Sequence, residues 1–172
     1  MRGALAGATA AAVWAAQQPL DKRVFGADYD DIQLLGKAVT RGEEWPVVGW
    51  ALHVQNGAVF GAAYAQLKPF LPGPAVARAV AVTLAENFAS WPLVGVVERR
   101  HPARRELPKL AGNRRALAQA TWRHFLFGVV LGVIEDRLNA HPGEEPPEVP
   151  VSSNGHGDID LAVGAPAARD AV

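Results

Sequence analysis

The sequence predicts an all-α protein: a bundle of four transmembrane helices, built from two repeated helical hairpins and followed by a disordered C-terminal tail. Two observations predict this fold. Charged residues are almost absent from four long apolar segments. In addition, the pattern His-x3-Gly-x3-Gly occurs twice in those segments, beginning at His53 and at His124. The two copies indicate a duplicated pair of helices, with a histidine on the small-residue face of each second helix.

The four apolar segments are close to the length that crosses a bilayer. They cover residues 3–20, 47–67, 74–97 and 116–134. The only charged residues in them are Arg78, Glu86 and Arg123. A helix of a soluble protein keeps a polar outer face, whereas about 20 apolar residues span the hydrocarbon. The sequence therefore predicts a membrane domain over residues 1–138. A soluble helical bundle with a very apolar core is the alternative interpretation.

The first half of the chain is predicted as two membrane helices and a polar loop. Helix 1 is expected to end at Pro19-Leu20, because proline disfavours the helix interior. In loop 1, residues 21–46, Asp30 and Asp31 are placed to cap a short amphipathic helix that would lie on the membrane surface. Helix 2 covers 47–67, and a short turn rich in proline leads from it into a tight hairpin with helix 3.

The second half repeats this plan. Helix 3 contains Pro92-Leu93, which matches Pro19-Leu20 of helix 1, and a strongly basic loop 3 follows over residues 98–115. Helix 4 ends near Glu135. Residues 139–172 are rich in Pro, Gly and Glu, which is typical of a disordered acidic tail. Two helices in each copy return the chain to its starting side, so the copies would be related by an axis along the membrane normal.

The distribution of Lys and Arg predicts the orientation. Loops 1 and 3, with the helix ends beside them, carry eleven of these residues, against four on the other side. The positive-inside rule then places both loops in the cytoplasm and both termini outside. Arg outnumbers Lys, and Ala, Gly, Val and Pro are abundant, which is typical of GC-rich bacterial coding. The expected location is the bacterial inner membrane.

Rows of small residues predict where the helices pack. Glycines recur every four residues on helices 1, 2 and 4, and such rows let helix backbones approach closely in lipid. The predicted packing residues are Gly3, Gly7, Gly49, Gly57, Gly61, Gly128 and Gly132.

Polar residues inside the apolar segments mark a candidate site. His53 and His124 lie on their glycine rows, at similar depths, and should face the bundle interior. Glu86, Asn87 and Arg123 are expected to join them, with Gln55 and Asn56 as neighbours. Buried ionisable groups in a membrane are costly and mark relays or substrate pathways, so one hypothesis is a proton- or solute-linked site. The other is that these groups only form hydrogen bonds between helices and stabilise the packing.

The tryptophans support the predicted membrane position. All five fall near the side of loops 1 and 3, where they would form an interfacial belt. They are Trp14, Trp45, Trp50, Trp91 and Trp122.

Composition and motifs exclude several classes of function. The chain has no cysteine, so it forms neither disulfides nor thiolate metal sites. Its net charge is zero, which provides no overall basic field for nucleic acid. No nucleophile is placed with a base and an orienting group, and the chain has no nucleotide-binding loop. We therefore expect no enzymatic activity, no cofactor and no metal.

The four short glycine-rich helices and the stretches around His53 and His124 resemble small bacterial inner-membrane proteins of the YagU type. The resemblance covers roughly residues 3–134 and implies an integral membrane protein without an assigned activity. The first functional hypothesis is a membrane protein with a polar, proton- or solute-linked site inside the bundle. The second is a scaffold or assembly factor that binds partners through its glycine faces, with a homodimer as the expected oligomer. The lipid bilayer is the partner common to both.

Overall fold

The structure, a computed structural model, describes residues 1–140 as a set of helices with no strand among them. The six α-helices are α1 (Arg2–Phe25), α2 (Asp31–Val39), α3 (Trp45–Leu67), α4 (Ala75–Ser90), α5 (Val94–Arg100) and α6 (Arg114–Asn139). Short 3-10 turns at Lys68–Phe70 and Trp91–Leu93 follow α3 and α4. The all-α prediction is confirmed. The predicted tail lies outside the described residues from position 141 onward.

The long helices form an antiparallel bundle in which α1 and α6 are central. α1 packs against both α3 and α6, α4 packs against α6, and the short helix α2 packs against α3. The predicted hairpin of helices 2 and 3 is wrong in one respect. The connection between α3 and α4 is short, but within residues 1–140 these two helices share no extensive interface. The gap between them is where the candidate site lies.

α1 continues past the proline at which it was predicted to end. It runs through Pro19 to Phe25 and is capped by Gly26, whose φ of 60° is the left-handed conformation typical of a helix C-terminus. An interior proline costs about 3 kcal/mol or more. The extra turns carry Asp21, which accepts hydrogen bonds from Gln119 and Arg123 of α6. The tertiary contacts of Asp21 therefore offset the free-energy cost of Pro19 inside the helix.

The other helices also depart from their predicted ends. The third predicted helix, 74–97, is broken at Pro92 into α4 and α5, because proline has no N–H to continue the helical hydrogen bonds. α6 is longer than predicted at both ends. Its N-terminus is capped by Asn113, whose Oδ1 accepts from the N–H groups of Arg115 and Ala116 at 3.1 Å.

The glycine rows lie in contacts between helices. A Cβ atom on Gly57 would lie 2.5 Å from Cβ of Ala11 and 2.6 Å from the carbonyl oxygen of Gly7. A Cβ on Gly128 would lie 2.7 Å from Cα of Val80. All seven glycines singled out above are buried within the chain, which leaves none of these faces open to a partner.

α2 and the basic loop lie together at one end of the bundle. The His101 side chain is hydrogen-bonded through Nε2 to the carbonyl oxygen of Leu34 at 2.9 Å. Lys37 pairs with Glu106 at 2.7 Å, and this hydrogen bond and positive charge lower the pKa of the Glu106 carboxyl. The loops predicted to share one side therefore meet at the same end.

The bundle buries several polar groups beside its apolar core and exposes several large apolar side chains. Arg123 is 0% exposed and Asn87 1%, whereas Val47 is 75% exposed and Phe88 55%. By length and composition, two stretches of residues 1–140 are apolar enough to cross a membrane: Ala75–Arg100, with a mean hydropathy of 1.4, and Arg114–Asn139, with 1.3. α1 and α3 do not reach that level, because polar residues such as Gln17 and Asn56 lower their mean hydropathy.

Candidate functional site

A cavity of about 290 Å³ lies where α3 and α4 face each other without packing together. Its floor is formed by α1 and α6, through Ala11, Trp14 and Phe127, and Phe60 of α3 adds a further aromatic side chain. The end of the cavity nearest the loops is closed by Tyr29, Asp31 and two leucines of α2. The cavity is therefore an aromatic-rich cleft that opens between α3 and α4.

His124 and Glu86 form a pair on one wall of this cavity. Nε2 of His124 lies 2.9 Å from Oε2 of Glu86, and its Nδ1 lies 2.8 Å from the carbonyl oxygen of Ala120. Because a carbonyl oxygen only accepts, Nδ1 must carry a proton. The contact to Glu86 then needs a second proton, either on Nε2 or on the carboxyl group. The geometry therefore describes a pair that shares one proton between Nε2 and the carboxyl group.

His53 lies on the opposite wall, separated from His124 by Trp14. Its Nε2 is 3.2 Å from the carbonyl oxygen of Ala11, so this nitrogen is the donor and Nδ1 is the acceptor of the neutral ring. The Trp14 ring lies edge-on to both histidines, with centroid distances of 5.4 Å to His53 and 4.7 Å to His124. The histidines share one cavity but are not in contact across the Trp14 ring.

Behind Trp14, the fully buried Arg123 joins α6 to α1 and to the start of α2. It forms a bidentate pair with Asp21, with both N···O distances 2.6 Å, and its Nη1 donates to Oδ2 of Asp31 at 2.7 Å. Nη2 also donates to the backbone oxygen of Tyr29 at 3.0 Å. Oδ2 of Asp31 accepts a further bond from the indole N–H of Trp14 at 3.0 Å. This guanidinium therefore ties together three segments that are distant in sequence.

The buried charges do not balance. One guanidinium, Arg123, faces two carboxylates, Asp21 and Asp31. Asp31 lines the cavity beside the phenol of Tyr29. Burial and then the negative charge of Asp31 raise the pKa of the Tyr29 phenol well above its ordinary value of 10.0, so Tyr29 stays neutral. The cavity thus faces an excess of negative charge.

The structure divides the predicted site into two places and adds residues to it. His53, Glu86, His124 and Asn56 line the cavity. Asn87 does not: it is buried between α4 and α6, where its Nδ2 donates to Oγ1 of Thr121 at 3.1 Å. The helical turn separates Asn87 from Glu86, because neighbouring residues point to different faces. Arg123 is likewise outside the cavity, and Gln55 is exposed on α3.

Several residues in and behind the cavity were not predicted from the sequence, Phe60 and Phe127 among them. Asp21 was assigned to a loop because Pro19 was expected to end helix 1, and Asp31 was interpreted only as a cap of α2. The N-cap is Asp30, whose Oδ1 accepts from the Gln33 N–H at 2.9 Å. Trp14 is 7% exposed, so its predicted place in an interfacial belt is wrong. Tyr29 carried no signal in the sequence.

The hydroxyl groups in the cavity are not hydrogen-bonded to its histidines. The hydroxyls that line the cavity, Thr83 and Ser90, donate to the helix carbonyls of Val80 and Asn87 and not to a histidine. Within residues 1–140 no group of three His, Cys, Asp or Glu is arranged to hold a metal ion.

Comparison of the chain with models of protein families, with curated proteins and with solved structures gives no match. The resemblance to proteins of the YagU type stays a prediction.

Proposed function

We propose that the chain is an integral membrane protein that binds a small organic cation, in exchange for protons, in the cavity between α3 and α4. In this proposal the membrane is the bacterial inner membrane. It is crossed by α1, by α3, by α4 together with α5, and by α6, with both loops of the basic end in the cytoplasm. The observation that carries the proposal is an aromatic cleft with excess negative charge, in a bundle that exposes large apolar side chains.

The inverted polarity of the bundle supports its place in a bilayer. In a soluble helical protein, Phe88 and Phe125 would belong to the core and Arg123 to the surface. Here Phe88 is 55% exposed and Arg123 is fully buried. Only 11% of the apolar window within Ala75–Arg100 is buried, whereas the core helix of a soluble bundle is mostly buried, and this supports a lipid-facing position for the stretch. Lipid is the solvent that would cover such faces favourably.

Membrane fractionation tests this part of the proposal. We expect the full-length chain to sediment with membranes, to stay there after an alkaline carbonate wash, and to be released by detergent. Apolar helix faces hold a protein in lipid through burial and not through surface charge, so the wash does not extract it. A chain that stays in the supernatant without detergent would contradict the proposal and support the soluble bundle.

The charges and aromatic rings of the cavity support a cation as the ligand. The carboxylate of Asp31 and the exposed carboxyl of Glu86 offer negative charge from two sides. Trp14, Phe60 and Phe127 offer the ring faces that attract quaternary and protonated amines. A bound cation would offset the buried negative charge, which is otherwise expensive in a low-dielectric interior. An organic ammonium also fits the largely apolar lining better than a hydrated metal ion does.

The proton shared by His124 and Glu86 supports the proposed exchange of a proton for an organic cation. Departure of that proton leaves a carboxylate facing the unprotonated Nε2 lone pair of His124, and a positively charged ligand would stabilise this state. His53, Tyr29 and Asp31 are the other titratable groups that face the cavity. Cation binding should therefore release protons, and acid should compete with the cation.

Calorimetry with choline as the probe tests the ligand class. The detergent-purified protein is expected to bind choline but not its uncharged carbon analogue, and to bind about tenfold more weakly in Glu86→Gln, because one charge of the site is removed. Glu43→Gln, which removes the same charge from an exposed loop position, should leave binding unchanged. Binding at pH 8 should exceed binding at pH 5.5, with protons released into a weakly buffered solution. Equal binding of both probes would contradict the cation site.

A further inference from the structure

We infer that a second cavity, at the basic end of the bundle, binds the phosphate headgroup of an anionic phospholipid. This cavity of about 280 Å³ lies between α5, the loop that follows it and the start of α2. It adjoins the cavity of the proposed function, with which it shares Tyr29 and Leu34, but its basic residues line only the second cavity. The inference assumes the membrane location proposed above.

The cavity combines an apolar wall with three cations. Its apolar wall is formed by Leu34, Val94, Val97, Leu107, Pro108 and Leu110. Arg99, Arg104 and Lys109 also line it, and among the described residues none of the three takes part in an ion pair. A cavity with this lining matches a ligand that has an anionic head and apolar chains.

The two acidic residues of the lining do not neutralise these cations. Oε1 of Glu98 accepts from the backbone N–H groups of Leu110 and Ala111. Asp30 pairs with Lys22 at 2.5 Å and caps α2. Both carboxylates therefore serve the local fold, and the guanidinium and ammonium groups keep their donors for an external anion.

The position of the cavity favours a lipid over free phosphate. It lies at the end of the apolar stretch Ala75–Arg100, whose last turn carries Arg99 and Arg100. The end of a membrane-spanning stretch is the level of the headgroups, where basic pockets meet anionic lipid. Inorganic phosphate would leave the apolar wall exposed to water, whereas the acyl chains of a lipid would cover it.

A binding experiment in detergent solution tests this inference independently of membrane insertion. We expect the full-length protein to bind short-chain phosphatidylglycerol about tenfold or more tightly than short-chain phosphatidylcholine, because only the former carries a net negative charge. Inorganic phosphate should bind more weakly than phosphatidylglycerol. Equal affinity for inorganic phosphate would overturn the assignment to a lipid, and failure to bind phosphatidylglycerol would overturn the site.

Two pairs of neighbouring arginines provide matched variants. The double variant Arg99→Gln/Arg104→Gln removes two cations from the cavity and should weaken phosphatidylglycerol binding by about tenfold or more. The control Arg100→Gln/Arg105→Gln removes the same charge from the same segments but from outside the cavity lining. An equal loss in both variants would mean attraction by the general field and would overturn the inference. The single variant Lys109→Gln, which should also weaken binding, provides a check that involves neither arginine pair.

Discussion

Replacement of Arg123 by methionine is expected to destabilise the protein by about 3–5 kcal/mol, because it leaves two carboxylates buried without their counter-charge. Arg123 is 0% exposed and is the only cation in contact with both Asp21 and Asp31 in residues 1–140. Methionine keeps much of the volume of arginine and removes all of its donors. Unfolding of the detergent-purified variant, followed by tryptophan fluorescence, measures the loss.

Two further variants serve as a control and as a test of whether charge alone or the shape of the guanidinium is needed. Arg137→Met changes an exposed arginine at the end of the same helix and should alter stability by less than about 0.5 kcal/mol. Arg123→Lys keeps the charge but cannot form the planar bidentate contact with Asp21 and reach Asp31 as well, so an intermediate loss is expected. If Arg123→Met were as stable as the Arg137→Met control, the ion cluster would have no part in holding α1, α2 and α6 together.

Replacement of Gly57 is expected to cause the second large loss of stability, because no side chain fits between α3 and α1 at this position. An alanine Cβ there would lie 2.6 Å from the carbonyl oxygen of Gly7, a backbone atom that cannot move without displacing α1. Gly57→Ala should therefore cost about 1–3 kcal/mol, and Gly57→Leu should prevent the two helices from packing. The same unfolding measurement in detergent reports both losses.

Gly95→Ala is the matched control for this prediction. A Cβ at Gly95 has as its nearest neighbour the flexible end of the Arg99 side chain, 3.5 Å away. The substitution should be neutral or stabilising by about 0.5–1 kcal/mol, because alanine favours the helix. If Gly57→Ala changed the free energy of unfolding as little as Gly95→Ala does, the result would contradict the close approach of α1 and α3.

Helix type and helix faces could be predicted because they depend on local periodicity. The glycine rows and His53 and His124 recur at helical spacing, so the sequence indicates which residues share a face. The hydrogen-bond and ion-pair partners of each side chain could not be predicted in this way. Nothing in the sequence near Asn87 shows that its partner is Thr121, and nothing near Glu86, one residue earlier, shows that it faces His124. Such pairings depend on how α4 is rotated against α6.

Two of the wrong predictions concern places where a tertiary contact overrides a local signal. Pro19 indicates a helix end, but α1 continues because Asp21, beyond it, is bound by Arg123. Tryptophan is a residue type typical of the membrane interface, but the indole N–H of Trp14 donates a hydrogen bond to Asp31 in the interior. Long-range ion pairs and hydrogen bonds of this kind leave no periodic trace in the sequence.

The sequence by itself determined that the chain is helical, which helix faces consist of small residues, and that His53 and His124 lie on those faces. Each of these follows from the spacing of residues along one helix. The tertiary structure decided that α3 and α4 diverge to leave a cavity, and that Asp21, Asp31 and Arg123 form an ion cluster behind it. These features arise from the relative positions of separate helices, which are decided by the packing of the whole bundle.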